Sequence, residues 1–425
     1  MLTEYKPRIA DRLLARKLVG KGAVLLEGAK WCGKTTTAEQ IAKSVLYMSE
    51  SGKTDQNKQL ATMNPRLLLR GDKPRLIDEW QVAPQLWDSI RFESDHSKEL
   101  GQFILTGSCV PADMSAVIHS GTGRIGWLKM RPMSLWESGE STGEVSLRGL
   151  FENNEQIEGV SKLDIERVAF VACRGGWPLA VSMDDEIALD QAFDYITAVE
   201  QRDIQQADGV DRDPARVHRL LRSYARNQGS QANYATIRAD LVANEGDSLD
   251  ENTISSYIKA LKRIFVVEDV EAWNPNLRSK TAIRTSDTRY FTDPSIATAA
   301  LGLGPADLIA DLETFGLVFE TLCMRDLRVF TEALNGAVYH FRDKNGLECD
   351  AVVHLRNGSY GLIEIKLGGD QLIETGAQML KTLAEKIDTT RMKNPSFLMV
   401  LTANGPYAYR REDGVYVVPV GCLKD

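Results

Sequence analysis

No run of about 18 apolar residues occurs anywhere in this 425-residue chain, which gives no sign of a membrane-spanning helix. The first residues, MLTEYKPRIADRLLARKL, are charged throughout and lack the apolar centre of a signal peptide. Cysteine is sparse: Cys32, Cys109, Cys173, Cys323, Cys349 and Cys422 lie far apart and form no C-x-x-C pair. Neither a zinc site nor a disulfide framework is indicated. These absences lead to the expectation of a reduced, cytoplasmic protein without a membrane partner. Internal repeats of roughly 20–50 residues and low-complexity tracts are also missing. So is an excess of positive charge. The net charge is −8, and bulk electrostatics give no reason to expect nucleic acid. Residues 212–290 depart from that average, with 13 Lys/Arg against 10 Asp/Glu, so any nucleic-acid surface must be local.

What remains is an ordinary globular composition, 43% hydrophobic and 26% charged. At ~150 residues per domain the length suggests about three domains. Residues 1–20 have the spacing of an amphipathic helix, with Ile9, Leu13, Leu14 and Leu18 on one face. An apolar strand at 23–26 precedes a Gly-rich turn and a helical stretch to about Ser44. The polar segment 49–65 reads as a surface loop, and short strands follow at 75–78 and 103–106. Strands alternating with helices predict a parallel α/β sheet. From 160 to 226 the pattern is helical. Between 234 and 292 come two helices and an alternating strand at 264–270, and the last part combines a helix at 311–328 with a hairpin at 347–367. The expected blocks are 1–155, 156–228, 229–297 and 298–425.

The strongest chemical signal is Gly28-Ala-Lys-Trp-Cys-Gly33-Lys34-Thr35, a complete G-x-x-x-x-G-K-[ST] between a strand and a helix. Gly28 and Gly33 let the backbone curl so that its N–H groups face phosphate oxygens. Lys34 would reach the β- and γ-phosphates, Thr35 would ligate Mg²⁺, and Thr36 continues the helix start that favours an anion. Chance alone would produce the four fixed positions in roughly 2% of chains of this composition, before the strand–helix context is counted. No N-K-x-D guanine-selecting motif is present, which favours ATP.

Leu76-Ile-Asp78-Glu79 is a candidate Walker B segment. Asp78 would hold Mg²⁺ through water and Glu79 would polarise the attacking water; the plain alternative is a solvated strand end. Phe103-Ile-Leu-Thr106-Gly-Ser108 ends in polar residues at the end of the sheet where nucleotides bind, so Thr106 or Ser108 could sense the γ-phosphate. Arg124, in Gly121-Thr-Gly-Arg124-Ile, is a candidate arginine finger or sensor, against the alternative of a surface arginine.

The series GAKWCGKTT, LIDEWQ, FILTGS, GTGRI, RPMSLWE, GGWP and EQRDI resembles a prokaryotic family of AAA-type ATPases. The likeness runs collinearly from Tyr5 to about Val418. Only the phosphate loop is specific by itself; the other motifs convince together. The resemblance implies an AAA-type P-loop domain with a helical lid. It also implies a C-terminal conserved region of unknown function, shaped like a restriction endonuclease of the PD-(D/E)XK kind. Two departures stand in the loop: Lys30 replaces a common arginine, and Cys32 is an unusual thiol, read here as a packed small residue rather than a redox group.

In the middle region, Arg212, Arg216, Arg219, Arg222 and Arg226 share one helix face, opposite Val217, Leu220, Leu221 and Tyr224. They form either a phosphate-contacting stripe, or a solvated face or set of partners for the acidic segments around it. Residues 234–270 have a winged-helix pattern, with Asp250 or a neighbour capping a second helix that buries Ile254, Tyr257, Ile258 and Leu261. Ser255, Lys259, Lys262 and Arg263 on its other side could meet a DNA backbone, although Asp250 and Glu251 oppose phosphate at the end that usually enters the groove.

At the C-terminal end, Asp350, Glu364 and Lys366, with Glu320 from the preceding helix, are a candidate nuclease-like metal site. A three-residue loop Arg356-Asn357-Gly358, with Gly358 left-handed, places Asp350 across from Glu364 and gathers Cys349, Ala351, Val353, Ile363 and Ile365 on the core face. Two carboxylates so placed can share Mg²⁺, while Lys366 could orient hydroxide or stabilise a phosphorane. The competing picture is a solvated sheet face with cross-strand ion pairs. The expected protein is thus a Mg²⁺-dependent ATPase coupled to DNA. The alternative is an ATP-driven switch that oligomerises or binds another protein, with the nuclease-like part as scaffold.

Overall fold

Five short strands, β1 (Ala23–Glu27), β2 (Ser44–Tyr47), β3 (Arg75–Asp78), β4 (Phe103–Gly107) and β5 (Ile125–Lys129), pair entirely in parallel in the order β2-β3-β4-β1-β5. The structure, a computed structural model, describes residues 4–97, 99–109, 120–152, 157–278 and 283–425. Two compact units result. The first holds Met1–Pro132, Ala198–Asp213 and Tyr257–Val266; the second holds Met133–Thr197, Pro214–Ser256 and Val267–Asp425. This interleaved division differs from four consecutive blocks, and the boundary expected near 155 falls outside the described residues.

In the first unit, helix Ile9–Gly20 buries Ile9, Leu13, Leu14 and Leu18, the face its spacing defines. One face of the sheet packs Leu25, Ile77, Phe103 and Leu105 against Trp80, Leu86, Trp87 and Ile90. Three local expectations need correction. The helix after the phosphate loop stops at Glu39, because Lys43 N–H bonds Pro74 O and Ser44–Tyr47 join the ladder beside β3. Sheet pairing overrides the helical reading there. Residues 54–63 of the supposed loop form a helix that buries Asn57 and Ala61, with Asn57 Nδ2 donating to the carbonyls of Tyr47 and Met48. Its polar outer side hid the pattern. Finally, β5 supplies an edge strand that went unread.

The second unit is built on a seven-stranded sheet. Its strands are β7 (Gly159–Val160), β8 (Gly336–Arg342), β9 (Glu348–Leu355), β10 (Tyr360–Lys366), β11 (Phe397–Thr402), β12 (Tyr407–Arg410) and β13 (Tyr416–Pro419), ordered β7-β12-β13-β11-β10-β9-β8. Another small parallel pair joins β6 (Val145–Ser146) to β14 (Leu423–Lys424). Helix Leu312–Ala333 packs on β8, β9 and β10, and helix Asp370–Lys386 packs on β9, β10 and β11. With both faces covered, β10 is buried at six of seven positions, the charged Glu364 among them.

Helices Tyr234–Asp240 and Glu251–Arg263 form where the pattern placed them, and Asp250 Oδ1 caps the second by accepting the Asn252 and Thr253 N–H groups. The strand expected at 264–270 is absent. Phe265 sits at φ 58, which breaks the extended run, and only single bridges Val267↔Phe291 and Val270↔Thr288 remain. No helix among the described residues is long and apolar enough to cross a membrane.

Candidate functional site

The phosphate loop leaves the carboxyl end of β1. Gly28 has φ +157, and a Cβ there would lie 2.0 Å from Met130 O, so both backbone and space demand glycine. Gly33 follows at φ +98. Cys32 is fully buried with Sγ directed at Met130 O (3.5 Å), the packed position expected for it. Arg8 braces the loop from the N-terminal side, donating to Cys32 O and Arg131 O at 2.9 Å each. Lys34 is buried and its Nζ donates to Ala29 O at 2.7 Å, arching back over the loop. Thr36 stands exposed on the next turn.

Because β4 lies between β1 and β3, its end reaches both motifs. Ile77 pairs with Leu105, and the following residues meet: Thr106 Oγ1 donates to Asp78 Oδ1 at 2.7 Å. Thr35 Oγ1 donates to the same oxygen at 2.6 Å. Glu79 leaves the strand in a left-handed conformation, φ 56, and its Oε2 accepts from Ser108 Oγ at 3.1 Å and from Gln81 Nε2. Four of the expected residues therefore converge with Thr35 on one patch at the strand ends. A hydroxyl beside a carboxylate is the hard-oxygen donor set that Mg²⁺ uses, one or two protein ligands with phosphate and water completing the shell. Among the described residues no group of three or more His, Cys, Asp or Glu gathers to hold a metal, either here or around Asp350 and Glu364.

Arg124 is the exception. It immediately precedes β5, whose first residue Ile125 pairs with Ala23 at the start of β1, so Arg124 lies at the sheet end opposite the loop. There its half-exposed guanidinium binds Asp95 Oδ1 at 2.5 Å. That placement sets it apart from the phosphate loop of its own chain. Two residues that sequence reasoning did not assign do join the loop region. Asp203, from the quoted EQRDI segment, pairs with Lys30 Nζ at 2.5 Å from within a π-helical turn Val199–Asp203. Gln81, from LIDEWQ, touches Glu79. Their presence in recurrent motifs was the available signal.

In the second unit the hairpin adopts the longer loop. Tyr360↔His354 through Ile363↔Ala351 are paired, Leu355 N–H bonds Ser359 O, and Gly358 has φ +81. Lys366 Nζ stands 2.6 Å from Glu364 Oε2 and 3.1 Å from Asp350 Oδ2, while Asp350 Oδ2 also accepts the Ile365 N–H at 2.8 Å. The solvated-face alternative is corrected: Glu364 is 0% exposed, and Glu364 Oε1 has no hydrogen-bond partner among the described residues. Glu320 is also brought into this neighbourhood. It accepts the Tyr290 hydroxyl, and an added Cβ at Gly229 would lie 3.1 Å from its Oε2. Burial, then the charge of Asp350, pushes the Glu320 carboxyl up to about 8. Burial, seconded by Asp350, likewise raises Glu364. Burial works against the Lys366 charge, but Asp350 and Glu364 outweigh it and hold the ammonium above its ordinary range.

The arginine stripe of helix Pro214–Arg226 is occupied internally. Arg219 pairs with Asp247 at 2.9 Å, Arg222 with Glu245 at 3.0 Å, and Arg226 with Asp240 at 2.7 Å and Glu245 at 2.9 Å. Arg216 lies 3.8 Å from Asp247, and Arg212 binds Asp208 at 2.7 Å. Of the two sequence readings, partners for nearby acids is the one observed. On the second helix, Lys259 and Lys262 are exposed while Ser255 and Arg263 are half-buried. The RPMSLWE and GGWP motifs serve packing. Ser134 and Glu137 form a capping box, Asp326 accepts the Leu135 N–H, and buried Arg325 links Asp326 to Asp293, which accepts the Gly176 N–H.

Residues 20–138 match a family described as an AAA domain. Residues 165–307 and 315–423 match two families described as domains of unknown function, DUF8612 and DUF4143. No curated protein matches. Among solved structures, a Walker-type ATPase of Pyrococcus abyssi is 15% identical, with 70% of this chain and 96% of that one covered at a TM-score of 0.42. The ORC2 protein of Aeropyrum pernix is 12% identical (63% and 90% covered, TM-score 0.31), and a RuvB variant of Thermotoga maritima 16% (61% and 85%, 0.23). These superpositions are loose and carry no argument. The family match, together with the parallel sheet and its loop, makes residues 20–138 an AAA-type P-loop domain.

Proposed function

We propose that the chain is a Mg²⁺-dependent ATPase. The observation that carries this reading is the pair of convergences at the strand ends, Thr35 and Thr106 on Asp78, and Ser108 on Glu79. Gly28 to Thr36 and Lys34 bind and orient the triphosphate; Thr35 and Asp78 would hold Mg²⁺, which supplies charge neutralisation on the phosphates. Glu79 orients the water and takes its proton as the new bond to the γ-phosphorus forms and the bond to the bridging oxygen breaks, its electron pair leaving with ADP. Lys34→Ala is expected to abolish tight ATP binding, and Glu79→Gln to keep binding but lose turnover. Unchanged hydrolysis in both would end this reading.

The use of that ATP is proposed to be an activity on DNA. Support comes from Asp350, Glu364 and Lys366 meeting beside Glu320 and from the exposed Lys259 and Lys262. A second reading, a nucleotide-driven switch acting through a homo-oligomer or a protein partner, is favoured by one feature. Lys366 already neutralises both carboxylates, as a retained but inactive scaffold would. ATP hydrolysis with and without DNA separates them. Stimulation that falls steeply with salt supports the first, because phosphate contacts release counterions; indifference to DNA at low salt supports the second.

A further inference from the structure

The turn after β3 carries an amide that the reaction scheme has not used. Gln81 Nε2 donates to Glu79 Oε2, the oxygen that also accepts Ser108 Oγ. A carboxylate has no hydrogen to give, so the amide must present its N–H to Glu79 and turn its oxygen away. That oxygen, Gln81 Oε1, is shielded from solvent and has no hydrogen-bond partner among the described residues. Leaving such an acceptor unmade is costly, and native proteins rarely tolerate it without purpose.

The neighbours hold the amide in place. Trp80, 2% exposed, packs against Trp87 with ring centroids 5.1 Å apart and the planes tilted by 41°, and anchors the turn Trp80–Val82. Gly107, the last residue of β4, makes room: a Cβ there would stand 2.9 Å from Trp80 Nε1 and 3.1 Å from Gln81 Oε1. The requirement at Gly107 is space, since its φ lies outside the left-handed region.

We propose that Gln81 is a positioning residue for ATP hydrolysis. Resting on the ATPase reading above, this deepens it by completing the water site. Two donors, Gln81 and Ser108, fix Glu79 Oε2. Glu79 Oε1 is then the oxygen left to accept a hydrogen of the attacking water. The water oxygen is thereby left with its lone pair free for the γ-phosphorus. Glu79 takes the proton as the new P–O bond forms and ADP leaves with the electron pair; Gln81 neither gains nor loses one.

The test uses the full chain and four proteins: wild type, Gln81→Leu, Glu79→Gln and the double variant. Nucleotide affinity is measured with a fluorescent ATP analogue and Mg²⁺, kcat and KM by phosphate release, and folding by thermal melting. Gln81→Leu keeps side-chain volume; it is expected to bind nucleotide within about threefold of wild type and to lose roughly 10- to 100-fold in kcat at unchanged KM. Because Gln81 acts with Glu79, adding Gln81→Leu to Glu79→Gln should cost less than threefold further. Gly107→Ala, whose Cβ would press on Gln81 Oε1 and the Trp80 ring, should repeat the kcat loss more mildly. A kcat equal to wild type in Gln81→Leu overturns the proposal, as does a full additional loss in the double variant. A wild type that binds ATP without hydrolysing it overturns the ATPase reading itself, and this inference with it.

Discussion

Thr35 Oγ1 and Asp78 Oδ1 lie 2.6 Å apart although 43 positions separate them in the chain. Strand order produces that contact. The chain leaves β1, forms β2 and β3 on one side, and returns through β4 between β3 and β1. Loops from β1 and β3 therefore open beside the end of β4, at the point where the strand order reverses. Hydroxyls on β4 then fill the gap between the two motifs.

Gly28 gives the first prediction. Alanine there must fit a Cβ 2.0 Å from Met130 O at φ +157, a position no side-chain rotation relieves. Gly20, the last residue of its helix, has nothing within 4 Å of an added Cβ. Gly28→Ala should therefore lose nucleotide binding by at least about tenfold and lower the melting temperature by several degrees, whereas Gly20→Ala should be neutral or slightly stabilising. Isothermal titration with ATP and thermal melting read both, and equal behaviour of the two variants would contradict the geometry.

Arg124 gives the second. Its exposed guanidinium sits at the far end of the sheet and pairs with a half-buried carboxylate. Arg124→Ala should leave nucleotide affinity and kcat within about twofold of wild type, since exposed ion pairs contribute little. A tenfold loss of kcat that grows with protein concentration would instead assign it to a neighbouring subunit's site.

The hydrophobic spacing of the first helix, the phosphate loop and the hairpin register were legible because each is set by local pattern. Alternation alone selected the three-residue loop at Arg356–Gly358, and the ladder from Tyr360↔His354 follows it. Other features depended on distant partners. The strand Ser44–Tyr47 exists because β3 is beside it, and the fate of the arginine stripe rested on Asp240, Glu245 and Asp247 folding back. Arg124 looked like a sensor because GTGRI follows the expected motifs in order. Only the pairing of Ile125 with Ala23 shows which end of β5 it occupies.

That fold-back yields a third prediction. If the stripe were a DNA surface, removing arginines would reduce the salt dependence of binding by about one unit of slope per contact. With Arg222 and Arg226 sharing Glu245 and Asp240, Arg222→Ala and Arg226→Ala should leave DNA affinity and its salt slope unchanged. They should lower the melting temperature by a few degrees, each pair being part-exposed and worth at most ~1 kcal/mol. Lys259→Ala is the contrasting variant. Its side chain is exposed on the second helix, and under the DNA reading its loss should flatten the salt slope.

The last prediction concerns the carboxylate cluster of the second unit. Lys366 stands between Asp350 and Glu364 at 3.1 and 2.6 Å, and Glu364 is fully buried, its Oε1 without a hydrogen-bond partner among the described residues. If the cluster acts on DNA, Mg²⁺ must compete with the Lys366 ammonium for the two carboxylates, so metal affinity should be weak and should rise when that charge is removed. Lys366→Met keeps the stem and removes the charge. It should tighten Mg²⁺ or Mn²⁺ binding several-fold in calorimetry while abolishing any DNA cleavage, because the ammonium is needed to stabilise the developing phosphorane. Asp350→Asn should abolish both binding and cleavage. Lys366→Ala is the poorer probe, since both variants break the buried pair but truncation also leaves a cavity beside Glu364. Cleavage that survives Lys366→Met and Asp350→Asn alike would remove this cluster from any nuclease chemistry. Metal binding that responds to neither would leave the ion pairs as the scaffold of the switch reading.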